Sequence, residues 1–402
     1  MTRVPRLLVA VSLVLLPMAA LPAVATAATA PKWIQRIEDV IGERGVSVAI
    51  GNDGDLWYKR LAWVGRPPAS NEKLLLSMSL LDRFAPSRTI RLEAMAAQAP
   101  TGAGVIRGDL WLVGHGDPET NGRDLTALTT RLVAEGVTKI RGGVIGSTGP
   151  FRRDWFAPGW KDYFPRDYVA LPTALTYRRN VDATGRHISD PELRAAKTLT
   201  SKLQANGISV RRPPRMDASP AGLVTVAGVR SAPLAAILRR MNTDSRNFWA
   251  EVLGKYLGAQ TYGAGTIANG AKAIAAFAAA HGLSFTCYDG SGLSYANRAT
   301  ALGILQLLWT ADQEPWGAVL RSTLPSGGQG TLEDRLSTVR IRAKTGTLDD
   351  ASALSGWVWA KRPQQWIEFS ILSSGFSEQA AKTIENQIIK VVAANANDPN
   401  PA

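Results

Sequence analysis

The sequence predicts a mixed α/β (α+β) fold in which one antiparallel sheet, flanked by helices, is interrupted by a large inserted domain. Three observations carry this expectation. Strand-like runs gather at two distant places, Val46 to Ala62 and Val339 to Leu372. Helical patterns lie outside both. Early and late strands complete one sheet only if the two ends of the chain meet, so the middle must leave that sheet and return to it.

The elements follow in order. Trp33, Ile34, Ile37, Val40 and Ile41 recur at helical spacing over residues 33–43, and the apolar run Val46 to Ile50 reads as a strand. Asn52-Asp53-Gly54 is a turn, after which Asp55 to Ala62 returns antiparallel. Beyond Pro67-Pro68, residues 70–81 are rich in helix formers and predict a largely buried helix. Residues 87–230 carry shorter patterns: strands near Thr89 to Leu92 and Val105 to Val113, a helix over Asp124 to Glu135, and many Pro/Gly turns. Helices resume at 234–241, 247–257, 265–281 and 299–310. Strands at 339–347, 353–360 and 366–372 precede a last helix at 378–393. The division expected is a leader at 1–30, a discontinuous catalytic domain at 31–86 and 231–402, and an insertion at 87–230.

With 402 residues, 45% of them apolar and 20% charged, the chain has core enough for two or three domains and is neither disordered nor fibrous. Its single cysteine, Cys287, admits no internal disulfide. The three histidines, His115, His187 and His281, lack metal-site spacing, so no metal and no cofactor is expected. Arg3 and Arg6, the apolar stretch Leu7 to Leu16 and the small residues Ala25 to Ala30 form a signal-peptide pattern. Pro17 and Pro22 cut the apolar run below membrane-spanning length. An exported, extracytoplasmic or periplasmic protein, soluble after cleavage and with no transmembrane segment, is the expectation.

The formal net charge is +13. Basic residues come in pairs such as Arg152-Arg153 and Arg178-Arg179 rather than long runs, and no nucleic-acid fold signature accompanies them, so nucleic acid is not an expected partner. For an exported protein, electrostatic association with anionic envelope polymers is the natural consequence, and a merely solvated surface is the plain alternative.

Three short motifs carry chemistry. Ser70-Asn-Glu-Lys73 puts a lysine amine one helical turn from a serine hydroxyl, where the neutral amine can take the hydroxyl proton. Alone it would be an N-cap with a surface lysine. Ser245-Arg-Asn247 likewise opens a helical run. Lys344-Thr345-Gly346 lies in the first late strand, where glycine admits a close backbone and the Lys/Thr pair can hold a carboxylate. In this order they form the S-x-x-K, S-x-N, K-T-G set of penicillin-recognising serine acyl enzymes.

The chain resembles the D-alanyl-D-alanine carboxypeptidase/endopeptidases among the class C low-molecular-mass penicillin-binding proteins. Beyond the motif set, the segments Gly108 to Pro118, Met241 to Glu251, Asp289 to Ser294, and Gly330-Thr-Leu with Ala343 to Leu348 carry the likeness. It implies a penicillin-binding, serine β-lactamase-like transpeptidase fold. It also implies removal of terminal D-Ala from peptidoglycan stem peptides, with cleavage of cross-links as a second activity, and covalent binding of β-lactams. By resemblance Ser70 is the nucleophile, Lys73 its base, Ser245 a proton relay and Asn247 a holder of the substrate amide. Lys344 and Thr345 bind the terminal carboxylate beside Gly346, and the N–H groups of Ser70 and Thr347 form the oxyanion hole. Asp289 to Ser294 reads as a structural turn, His115 as non-catalytic, and Trp357, Trp359 and Trp366 as sheet packing.

Two departures fall in the insertion. Gly146-Ser-Thr-Gly-Pro stands where the family often has an Asp-Asp-Ser turn, and Ala174-Leu-Thr-Tyr-Arg-Arg-Asn replaces the more usual A-L-S-x-N-x-N. Both bear on substrate side-chain preference. A β-lactamase shares the three motifs, but the 175 positions between Ser70 and Ser245 leave room for a whole extra domain. A catalytically idle wall-binding protein is the rival of another class, against which the intact motifs speak.

Overall fold

The computed structural model describes residues 30–361 and 364–395. Apart from Ala30, the expected leader lies outside them. The early and late strands do meet. Strands Ile341–Leu348, Ala351–Ala360, Gln365–Ser374, Val46–Asn52 and Asp55–Arg60 form one antiparallel sheet in that order, and Val46 pairs with Ser373 where the early half joins the late half.

Alternation along the strands makes two faces. Val46, Val48, Ile50, Leu354, Val358, Phe369 and Ile371 point to the face covered by the terminal helices Lys32–Ile41 and Glu378–Asn395. Ala49, Ala353, Trp357 and Leu372 point to the other, against helices Glu72–Arg83, Asn247–Tyr262 and Ala301–Gln313. Small residues at positions 49 and 353 let those helices approach closely. Every residue from Glu72 to Leu81 is buried, as the leucine-rich run implies, and Trp357 is fully buried with its indole N–H donated to Asp312 Oδ2 at 2.7 Å.

The middle of the chain builds a second, mixed five-stranded sheet from Val224–Arg230, Arg91–Ala96, Leu110–Gly114, Val144–Ser147 and Arg215–Asp217. Helices Gly122–Ala134 and Pro191–Ala205 share a separate apolar core with it. The expected strand Val105 to Val113 is in fact two. Val105–Ile106 pairs with Lys139–Ile140 in a small parallel sheet, and Leu110–Gly114 enters the large one. Asp109 explains the break: its carboxylate turns away to accept the Gly143 N–H at 2.8 Å. The early strand likewise runs from Arg91 to Ala96 rather than from Thr89 to Leu92.

Residues 151–182 reach back to the first sheet's helices. Trp160, Phe164 and Val169 pack with Ala69, Leu293 and Leu348. The wholly buried Lys255 ammonium donates to the carbonyls of Arg152, Asp154 and Pro172 at 3.0, 2.7 and 3.0 Å. This segment therefore walls the region in which Ser70 sits.

Candidate active site

The segment from Ser70 to Lys73 does not begin with a regular helix. Pro68 leads into a single 3₁₀ turn, Ala69–Asn71, and the α-helix starts at Glu72. Ala69 has φ 47°, in the left-handed region, and its carbonyl is pressed against Gly292. A Cβ on Gly292 would lie 1.8 Å from that oxygen, and Gly292 itself has φ +80°, so only glycine fits. Asn71 Nδ2 donates to Ser355 Oγ at 2.8 Å, tying the turn to the sheet. The half-buried Ser70 is thus held from both sides.

Lys73 is completely buried, and its Nζ has three partners: Ser70 Oγ at 2.9 Å, Asn247 Oδ1 at 2.8 Å and the Ser291 carbonyl at 2.5 Å. A neutral amine has two N–H groups and one lone pair. Asn247 and Ser291 can only accept, so the lone pair of the neutral form is left facing the one partner that can donate, the Ser70 hydroxyl. Burial favours that form and lowers the Lys73 pKa to about 8, against the opposing pull of Asp289, Glu251 and Glu72.

Ser245 does not open a helix. It occupies the turn between Leu234–Thr243 and Asn247–Tyr262 with φ 53°, and Asn247 is the first helical residue. Ser245 Oγ accepts from Lys344 Nζ at 2.9 Å, and the same nitrogen donates to the Thr345 carbonyl at 2.9 Å. Lys344 is also fully buried. Burial first, and then the charge of Lys73, hold its pKa well below the ordinary lysine range. Thr345 Oγ1 donates to Thr331 Oγ1 at 2.8 Å. Gly346 runs so close to the nucleophile turn that a Cβ there would meet Pro68 O at 2.9 Å, while Thr347 is exposed. Their strand, Ile341–Leu348, is the edge of the sheet, where the Ala343 N–H is taken by Pro325 O at 3.2 Å and the Thr345 carbonyl by Lys344.

The structure therefore gathers the three motifs into two serine–lysine pairs, Ser70–Lys73 and Ser245–Lys344, with Asn247 bonded to Lys73. A family model described as "D-Ala-D-Ala carboxypeptidase 3 (S13) family" matches residues 42–187 and 168–395. The chain belongs to that family. It is a serine hydrolase of the S13 type. A D-alanyl-D-alanine carboxypeptidase of Actinomadura sp. is 27% identical, over 89% of this chain and 82% of its own. Penicillin binding protein 4 of Haemophilus influenzae superposes with a TM-score of 0.75 at 18% identity, covering 89% of this chain and 97% of that one. A predatory endopeptidase of Bdellovibrio bacteriovorus, solved with an immunity protein, gives 0.55 at 19% identity, over 86% and 92%. Both structures share the S13 member's fold.

One part of the S13 site was missed at the level of sequence. Asp289 to Ser294, read as a packing turn, supplies the Ser291 carbonyl to Lys73. Asp289 is wholly buried and accepts from Gly292 N, Ser294 N, Asn297 Nδ2 and Trp160 Nε1 at 2.7–2.9 Å. Glu251 Oε1 accepts from the N–H groups of Gly290 and Ser291 at 3.0 and 2.7 Å. Burial, with Asp289 nearby, pushes Glu251 up to about 8 and Glu72 well above the usual carboxyl range. The turn thus aims a carbonyl at Lys73, and its Asp289 is foremost among the groups that oppose the loss of basicity. The Asp-Gly-Ser-Gly string was the only available signal, and composition alone reads it as a turn. His115 lies away from the site, its Nε2 2.8 Å from Glu93 Oε2 in the mixed sheet. Among the described residues no cluster of His, Cys, Asp or Glu is disposed to hold a metal, and no helix is long and apolar enough to cross a membrane.

Proposed function

We propose that the protein is an exported serine-type D-Ala-D-Ala carboxypeptidase, with endopeptidase cleavage of cross-links as a second activity, acting on peptidoglycan stem peptides through an acyl-enzyme on Ser70. The observation that carries this reading is the buried Lys73 amine, whose two acceptors leave its lone pair to the Ser70 hydroxyl. Ser70 Oγ attacks the carbonyl of the penultimate D-Ala as its proton passes to Lys73 Nζ. The carbonyl oxygen becomes an oxyanion held by the N–H groups of Ser70 and Thr347. The C–N bond then breaks, the departing amine takes the proton from Lys73, relayed by Ser245, and D-Ala leaves with Lys73 neutral again. Water attacks the ester with Lys73 again as base, freeing the shortened peptide and restoring the Ser70 hydroxyl.

Lys344 and Thr345 receive the terminal carboxylate. A carboxylate arriving beside Lys344 opposes the effect of burial and favours the protonated form of its amine. Asn247 holds the substrate amide from the other side of the scissile bond. A β-lactam offers the same strained amide and carboxylate and acylates the same oxygen. Peptidoglycan peptides are the partner this chemistry requires, and the net charge of +13 suits an anionic envelope.

The test is incubation of the purified protein with a muropeptide pentapeptide and with its cross-linked dimer, followed by product identification. Release of D-Ala supports the carboxypeptidase, and conversion of dimer to monomers supports the endopeptidase. Rapid turnover of a β-lactam with neither peptide cut would favour a β-lactamase. The mass of the exported protein tests the leader, expected to be lost near residue 30.

A further inference from the structure

Two cavities adjoin beside Asn247. The nearer, of about 430 Å³, is lined by Asn247, Phe248 and Trp249 and, from the middle section, by Tyr168, Arg179 and His187. The farther, of about 770 Å³, shares Arg179, Val181 and Trp249 with it and extends to Arg178, Arg194 and Lys197. Shared walls make them one groove leading away from the candidate site. With Lys344 and Thr345 taking the leaving-group carboxylate, the acyl side of a substrate departs past Asn247 into this groove.

The groove presents an unusual turn. Arg178, Arg179 and Asn180 have φ of 50°, 60° and 55°, three successive non-glycine residues in the left-handed region. Each costs on the order of 1 kcal/mol. Asn180, wholly buried, pins the turn: its Oδ1 accepts the Tyr177 N–H at 2.7 Å and its Nδ2 donates to Leu171 O at 2.7 Å and Thr173 Oγ1 at 3.0 Å. The effect is to display two adjacent arginines on an otherwise buried segment.

Charge bookkeeping separates these arginines from ordinary surface cations. Glu119 is paired with Arg240, Asp182 with Arg186 and Arg194 with Asp190. Arg178 lies near the Tyr177 ring, but among the described residues neither it, Arg179 nor Lys197 has a carboxylate partner. Three uncompensated positive charges therefore line one cavity, two of them fixed by a strained and pinned backbone.

We propose that this groove is an acyl-side subsite in which Arg178 and Arg179 bind a free carboxylate carried by the stem peptide upstream of the scissile bond. The inference rests on the carboxypeptidase reading and adds to it a preference between carboxylate and amide forms of the peptide. A bidentate guanidinium–carboxylate contact supplies that preference, because the neutral amide leaves the arginines without a counter-charge.

The experiment compares two synthetic peptides ending in D-Ala-D-Ala that differ only in having a free or an amidated carboxyl upstream. Wild-type protein is expected to show a KM about tenfold lower for the carboxylate peptide. In Arg178→Gln/Arg179→Gln the two peptides should become equal, through loss on the carboxylate peptide alone, with β-lactam acylation of Ser70 reporting that the site remains folded. Equal KM values in the wild type, equal losses on both peptides in the variant, or discrimination that survives the double substitution overturns the proposal. Should the double variant fail to acylate, Arg179→Gln alone takes its place. If the wild type cuts neither peptide, the carboxypeptidase reading fails separately. Calorimetric binding of both peptides to Ser70→Ala then decides the groove, tighter carboxylate binding supporting it and equal binding refuting it.

Discussion

Acylation of Ser70 should depend steeply on pH, because the burial that frees the Lys73 lone pair also determines when that lone pair exists. Lys73 lies at about 8. The neutral fraction is then about 1% at pH 6, about 10% at pH 7, about half at pH 8 and about 90% at pH 9. The acylation rate constant for a β-lactam should rise about tenfold from pH 6 to 7, about fivefold to pH 8 and about twofold to pH 9. The sign follows from the role: a base works deprotonated, so the rate climbs through the folded-state value and then levels. Stopped-flow quenching with mass detection of the adduct gives the profile directly. Lys73→Arg keeps the charge and cannot surrender its proton at these pH values, so it should acylate at least a hundredfold more slowly. A flat profile between pH 6 and 9, a rise delayed to the ordinary lysine range, or wild-type acylation by the arginine variant refutes the assignment of Lys73 as base.

Other consequences are equally direct. Ser70→Ala should abolish the covalent β-lactam adduct, checked by peptide mapping; an adduct on another residue would remove Ser70 from the mechanism. Gly292→Ala places a Cβ 1.8 Å from Ala69 O at φ +80°, so it should cost about 2–4 kcal/mol of stability and displace the nucleophile turn. Denaturant unfolding and acylation rates measure both, and unchanged values would show that the turn yields without cost. Glu368 is buried, and burial together with neighbouring Asp312 pushes it up to about 9. Between the unfolded value and that one the unfolded chain ionises while the folded chain stays protonated, so wild-type stability falls as pH rises. Glu368→Gln should thus gain relative to wild type between pH 5 and 8, by up to about 4 kcal/mol, and a pH-independent difference in Tm would refute this. Replacing residues 87–230 with a short linker removes three carbonyl acceptors from buried Lys255 and Trp160 from Asp289. Acylation of Ser70 should be lost with them, and a folded deletion protein that still acylates would show the insertion to be dispensable.

Local pattern in the sequence determined a good deal of this protein. The period-2 runs at 46–50 and 353–372 and the helical runs at 70–81 and 247–257 lie within a few residues of the observed elements, because burial of one face leaves its period in the chain. The three-residue spacing of Ser70 and Lys73 announced their contact for the same reason, even though the serine proves to sit in a 3₁₀ turn. Tertiary structure alone decided the rest. The Ser291 carbonyl reaches Lys73 across 218 positions of sequence, and Lys344 reaches Ser245 across 99. The run Val105 to Val113 divides between two sheets, Arg179 lines the cavity beside Asn247, and Arg178 lines the one adjoining it. None of these has a periodic signature, since a turn aimed at a distant amine looks in sequence like any other turn. Nor could the ionisation of Lys73 and Lys344 be read there: a lysine is the same letter exposed or buried, and it is loss of water around the ammonium, a property of the packed molecule, that holds both below the ordinary lysine range.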